Sequence, residues 1–106
     1  MEEEILKVVF TKKSKSDLEK IYHHYALNVS VDVAEQILKT LLFYVQYLED
    51  GYLYMGQREP YLAHLKREYR RLVADNYKII YSVGKKAVYI HCFFDARQNP
   101  KKMKVR

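Results

Sequence analysis

Residues 68–100, EYRRLVADNYKIIYSVGKKAVYIHCFFDARQNP, read as three consecutive β-strands joined by two tight turns. Ala74-Asp75-Asn76 interrupts the first apolar run, and Val83-Gly84-Lys85-Lys86 the second. Asp, Asn and Gly tolerate the positive-φ conformations that short hairpin turns require. Between the interruptions stand Tyr, Ile, Val and Phe, the residue types that suit a pleated, half-buried surface. The stretch predicts an antiparallel meander.

Alternation along each strand assigns side chains to faces. Tyr77, Ile79, Tyr81 and Val83 fall on one face, Lys78, Ile80 and Ser82 on the other. In the last strand Val88, Ile90, Cys92 and Phe94 form an apolar set opposite Tyr89, His91, Phe93 and Asp95. Continued extension would bring Arg97 to the side of His91 and Phe93. One face is therefore expected to be oily and buried, the other aromatic, basic and open. Arg70 and Arg71 are adjacent on a strand and must point opposite ways, one towards the covered side and one towards solvent.

Upstream, Ile5, Val8, Val9 and Phe10 predict a short first strand. Ser14 and Ser16 offer N-cap oxygens for a helix with Leu18, Ile21, Tyr22, Tyr25 and Ala26 at helical spacing. Asn28 stops it, and Ser30 caps a second helix with Asp32 in its first turn. Ala34, Ile37, Leu38, Leu41, Leu42, Val45 and Leu48 form its apolar stripe, and Gly51 ends it. Residues 51–67 read as a loop with a short helical turn around Tyr61 to Leu65. The expected fold is α+β, in the order β-α-α-β-β-β. An antiparallel sheet carries a helical hairpin on one face, and the first strand pairs with a strand of the meander.

At 106 residues, with 49% hydrophobic and 30% charged, the chain is one folded domain over 1–106 rather than a disordered segment. No apolar run approaches a membrane span, and the acidic start MEEEILKVVF is unlike a secretory signal. A cytoplasmic protein is expected. Nineteen Lys and Arg against 13 Asp and Glu leave a net charge of +6, which suits a polyanionic partner. The tail adds Lys101, Lys102, Lys104 and Arg106 without an acid. The lone Cys92 reads as a buried thiol. His23 and His24, adjacent on a helix, diverge by about 100° and do not make a metal site. The glycine of residues 83–86 lies between strands and is no phosphate loop. No metal and no cofactor are expected.

The order of elements brings a family into view. Ser16-Asp-Leu-Glu-Lys-Ile-Tyr22, the long second helix ending in Leu48 and Gly51, Arg70-x-Leu72, Tyr77-x-Ile79-x-Tyr81 and Ile90-x-x-Phe93-x-x-x-Arg97 together resemble the RelE/ParE superfamily of bacterial type II toxins. The resemblance implies a partnership with an acidic antitoxin in a hetero-oligomer. It also implies one of two targets: DNA gyrase for ParE-like members, or messenger RNA on the ribosome for RelE-like ones. A RelE-like endoribonuclease (an mRNA interferase) would use Lys78 and Arg97 for charge stabilisation and His91 for proton transfer. Either way Arg70, Arg71, Lys78, Tyr89, Phe93 and Arg97 are the expected target- or antitoxin-binding residues. No Tyr or His follows Arg97, which favours the ParE-like reading. A solitary, non-catalytic nucleic-acid-binding module is the further alternative.

Overall fold

A computed structural model describes residues 6–105; Ile5 and Arg106 lie outside the described residues. β1 (Lys7–Phe10) leads into two helices, α1 (Lys12–Asn28) and α2 (Val31–Glu49). β2 (Gln57–Arg58), a single turn of 3₁₀ helix at Pro60–Leu62, and β3 (Arg70–Ala74), β4 (Tyr77–Val83) and β5 (Ala87–Asp95) follow. A second 3₁₀ turn spans Pro100–Lys102. The strands lie in the order β1-β5-β4-β3-β2. The expected α+β order is present, with a two-residue β2 added at one edge.

The sheet is mixed rather than wholly antiparallel. β1 runs parallel to β5, Lys7 opposite Ala87 and Phe10 opposite Ile90, and the Thr11 amide extends the ladder to the Ile90 carbonyl. Thr11 also caps α1, its hydroxyl accepting from the Ser14 amide at 3.1 Å. The helix thus begins one turn before the expected caps Ser14 and Ser16. Its first turn is fixed where the extended chain leaves β1, and Ser14, buried, donates its hydroxyl to the Thr11 carbonyl. Ser30 caps α2 as expected, accepting from the Val33 amide, and Gly51 ends it at φ 95°, a backbone that favours glycine. Asp75 takes the first hairpin turn at φ 54°.

Two hydrophobic clusters sandwich the sheet. On the first face Ile21, Leu41, Val45 and Leu48 of the helices pack on Leu72, Ile79, Tyr81, Val88, Ile90 and Phe93. On the second face Ile80, Cys92 and Phe94 meet Leu62 and Met103, with Leu65, Tyr69 and Val105 at the margin. A β-bulge separates the two halves of β5. Tyr81 pairs with Ile90 and Ile80 with Cys92, so His91 is an extra residue on β5. Beyond it the alternation reverses. Val88 and Ile90 face the helices as expected, but Cys92 and Phe94 belong to the second face, and Phe93 turns in under the helices. The second face is not open either. The segment around Leu62 and the one around Met103 cover it.

Candidate functional site

The chemistry on the second face gathers at Glu59. Its amide pairs with the Tyr69 carbonyl, and its carboxylate caps the following 3₁₀ turn by accepting from the Tyr61 amide at 3.1 Å. Pro60 suits the first position of such a turn. The side chain is fully buried, where an unpaired carboxylate would be costly. Lys78 compensates it from β4, its Nζ 2.9 Å from Oε1, and the Arg71 guanidinium stands 3.9 Å from Oε2. The Lys78 ammonium also sits 5.5 Å from the centre of the Tyr61 ring, within cation–π range. Lys78, expected on an open face, is instead the counter-ion of a buried acid.

The two arginines of β3 divide between the faces. Arg70 lies on the helix side, donating from Nε and from a terminal nitrogen to the Gly56 carbonyl (3.0 and 2.6 Å) and pairing with Glu68. Its guanidinium caps the Tyr54 ring at 5.1 Å. Arg58 and then Arg70 hold the Glu68 carboxyl below its usual range. Arg71, on the other side, donates to the Arg58 carbonyl at 2.8 Å and is only partly exposed. Neither is a free cation. Both pin residues 56–59 to β3. Gly56 is needed there, because a Cβ would come within 2.4 Å of the Arg71 carbonyl and 2.7 Å of the Tyr81 hydroxyl. That hydroxyl accepts from the Gly56 amide and donates to the Leu53 carbonyl.

Arg97 lies beyond β5, at the helix end of the first face. It is clamped to Asp95 through two side-chain hydrogen bonds of 2.8 and 3.0 Å, and reaches the Tyr25 hydroxyl at 3.5 Å. Its hydrogen bonds keep the Asp95 carboxyl below the usual range, while the carboxylate raises the guanidinium in turn. Tyr25 also accepts from Tyr77 at 3.2 Å, and burial raises the Tyr77 phenol. His91, the bulge residue, is 5% exposed. Its Nε2 lies 2.7 Å from the Ser82 hydroxyl, and the Tyr69 ring meets it edge-on. Burial, and then the Arg67 guanidinium, push its imidazole down to about 4.

Among the described residues no hydrogen bond or ion pair joins any two of Lys78, His91 and Arg97. Each is engaged with a different partner: Glu59, Ser82 and Asp95. Of the other expected binding residues Tyr89 is exposed and Phe93 buried. Glu59 was not among the expected residues. The signal for it was an acid directly before a proline in the least regular part of the chain. No described helix is long and apolar enough to cross a membrane, and no three described His, Cys, Asp or Glu side chains gather to hold a metal.

Comparison with known proteins agrees with this architecture. The family model described as the ParE toxin of the type II toxin–antitoxin system parDE matches residues 8–100. The chromosomal ParDE TA system from P. aeruginosa is similar in structure, with a TM-score of 0.72 and 18% identity over 86% of this chain and 96% of that one. The YoeB dimer from Staphylococcus aureus aligns with a TM-score of 0.55 and 14% identity over 84% and 94% of the two chains. These identities speak to the fold alone. No curated protein matches the chain in sequence.

Proposed function

The chain belongs to the ParE toxin family of type II toxin–antitoxin systems, and from that membership we propose that it arrests growth by binding DNA gyrase, with no chemistry of its own. The observation that carries this reading is the dispersal of the three groups a nuclease would need. Ribonucleolytic cleavage of this kind requires a proton-transfer group and a cation converging on one phosphodiester. Lys78 neutralises a buried carboxylate on the second face, His91 is buried and neutral at physiological pH, and Arg97 is tied to Asp95 and Tyr25 on the helix face. A protein ligand needs no such convergence, only surface.

One arrangement favours the second reading, ribosome-dependent cleavage of messenger RNA: a carboxylate flanked by Lys78 and Arg71 with Tyr61 alongside. Those are an acid–base group and cations in one place. Glu59 is 1% exposed, however, so no substrate atom reaches it with the covering segments in position. The gyrase reading is the better supported.

An acidic antitoxin is the expected partner of this cytoplasmic toxin. Beyond the two residues paired with β2, the outer edge of β3 at Leu72–Ala74 has no strand beside it among the described residues, and Val73 is 56% exposed. An extended segment could add a strand there. The tip of the helical hairpin also presents Leu27, Val29, Val31 and Val33 to solvent, an apolar surface suited to an amphipathic partner.

Purified protein should inhibit gyrase supercoiling and leave messenger RNA intact on translating ribosomes. RNA cleavage that Arg97→Ala abolishes, with supercoiling untouched, overturns the gyrase reading.

A further inference from the structure

A cleft that the gyrase reading does not use has a lining that points to a ligand. It measures about 650 Å³ and lies between the loop before β3 and the bulge of β5, lined by His64, Lys66, Arg67, Tyr69, His91 and Val105. The acids beside it are already engaged. Glu59 is paired with Lys78, and Glu68 with Arg58 and Arg70. Neither Lys66 nor Arg67 forms an ion pair among the described residues, so two consecutive cations stand uncompensated at the rim. The floor contains His91, buried to 5% exposure, with Nε2 bonded to Ser82 and no protein partner for its second nitrogen among the described residues. In the tautomer in which the Ser82 hydroxyl donates to Nε2, the single imidazole proton sits on Nδ1, as a donor. The Arg67 guanidinium acts on that ring through space, which ties the rim to the floor. Tyr89, 36% exposed, extends the aromatic surface past His91, and Lys85 and Lys86 stand exposed in the turn before it.

We propose that this cleft binds a nucleotide phosphate, with Lys66 and Arg67 neutralising its charge, His91 donating to a phosphate oxygen, and Tyr89 offering its ring to the base. Cations next to exposed aromatic rings are what single-stranded nucleic acid and free nucleotides share as a binding surface. The site involves no bond making or breaking. It is independent of the gyrase reading, because it is tested on the purified toxin alone.

Two probes distinguish the possible sources of the phosphate: a fluorescent single-stranded oligonucleotide followed by anisotropy, and adenosine monophosphate followed by amide chemical shifts. The double variant Lys66→Glu/Arg67→Glu should weaken binding by about ten-fold or more and flatten its salt dependence by roughly 0.7 for each phosphate no longer neutralised. The double variant Lys20→Glu/Lys39→Glu, equal in charge but on the helices, should change affinity by less than about two-fold if the site is local. Both pairs are exposed, and unchanged melting temperatures establish that both variants fold. Binding of the oligonucleotide but not the mononucleotide identifies a strand as the ligand, and binding of both identifies the nucleotide unit; either supports the site. Failure of both probes to bind, or equal weakening by the two double variants, overturns it.

Discussion

The two faces of the sheet are covered by opposite means. The first lies under two long helices whose apolar stripes bring Ile21, Leu41, Val45 and Leu48 onto β3, β4 and β5. The second is covered by two short irregular segments, one held by Leu62 and the buried Glu59 with its counter-ions, the other by the single buried side chain of Met103. The backbone hydrogen bonds of residues 102 and 103 are local, returning to Asn99 and Pro100. Regular elements share their burden among many residues, so their stability is cooperative. A strap anchored by one methionine is a separate, weaker unit that can open without unfolding the rest.

The difference can be broken first from its strong side. Leu41 is 1% exposed in the helix-face core, and Leu41→Ala should destabilise the fold by about 3 kcal/mol through lost transfer energy and a residual cavity. Chemical denaturation measures it, and a loss below about 1 kcal/mol would mean that the hairpin is not the main support.

The boundary between the faces responds to pH. His91 is held near 4 in the folded state against about 6.5 in the unfolded chain. Its folded pKa is depressed, so the unfolded state binds the extra proton between those values. Stability is therefore full above about pH 6.5 and falls by roughly 3 kcal/mol as pH drops towards 4. His91→Gln should flatten that segment of the stability–pH curve, and an unchanged slope would remove the histidine from the account.

The smallest effect sharpens the contrast. Met103→Ala should cost about 2 kcal/mol of global stability, at the low end for a buried methionine because the strap can collapse or lift. Its local effect should be larger. Cys92 lies beneath the strap, where burial pushes its thiol up to about 12 and keeps it unreactive. In the variant, thiol labelling should accelerate well beyond what the global change allows. Labelling that follows global stability alone would make the strap part of the main core.

The same contrast decides how much could be read from the sequence. Helical stripes repeat over four or five turns, so α2, its Ser30 cap and its Gly51 end are all legible, as is the turn at Asp75. The β-bulge is not. Val88, Ile90, Cys92 and Phe94 alternate without a break, and an inserted residue leaves no mark in an apolar-rich strand. That single extra residue sent Cys92 and Phe94 to the second face and Phe93 to the first. His91 lies on the floor of a cleft rather than on an open surface because the segments around Tyr69 and Val105 border it. The cover over the second face was equally hidden, because Leu62 and Met103 carry no periodicity. Lys78 and the arginine pair were visible as cations, but their partners were not. Glu59 lies 19 residues from Lys78, a separation that only the folded chain can close.

The parallel pairing of β1 with β5 also sets a clock. Thr11 and the residues before it reach their partners across about 80 positions of chain, as in the bond from Thr11 to the His91 carbonyl. On a ribosome that edge of the sheet cannot be laid down until Ala87–Ile90 have been synthesised and have left the exit tunnel. The helices can form early, but the finished surface of the toxin cannot. A toxin built this way stays immature until β5 has emerged to receive its first strand.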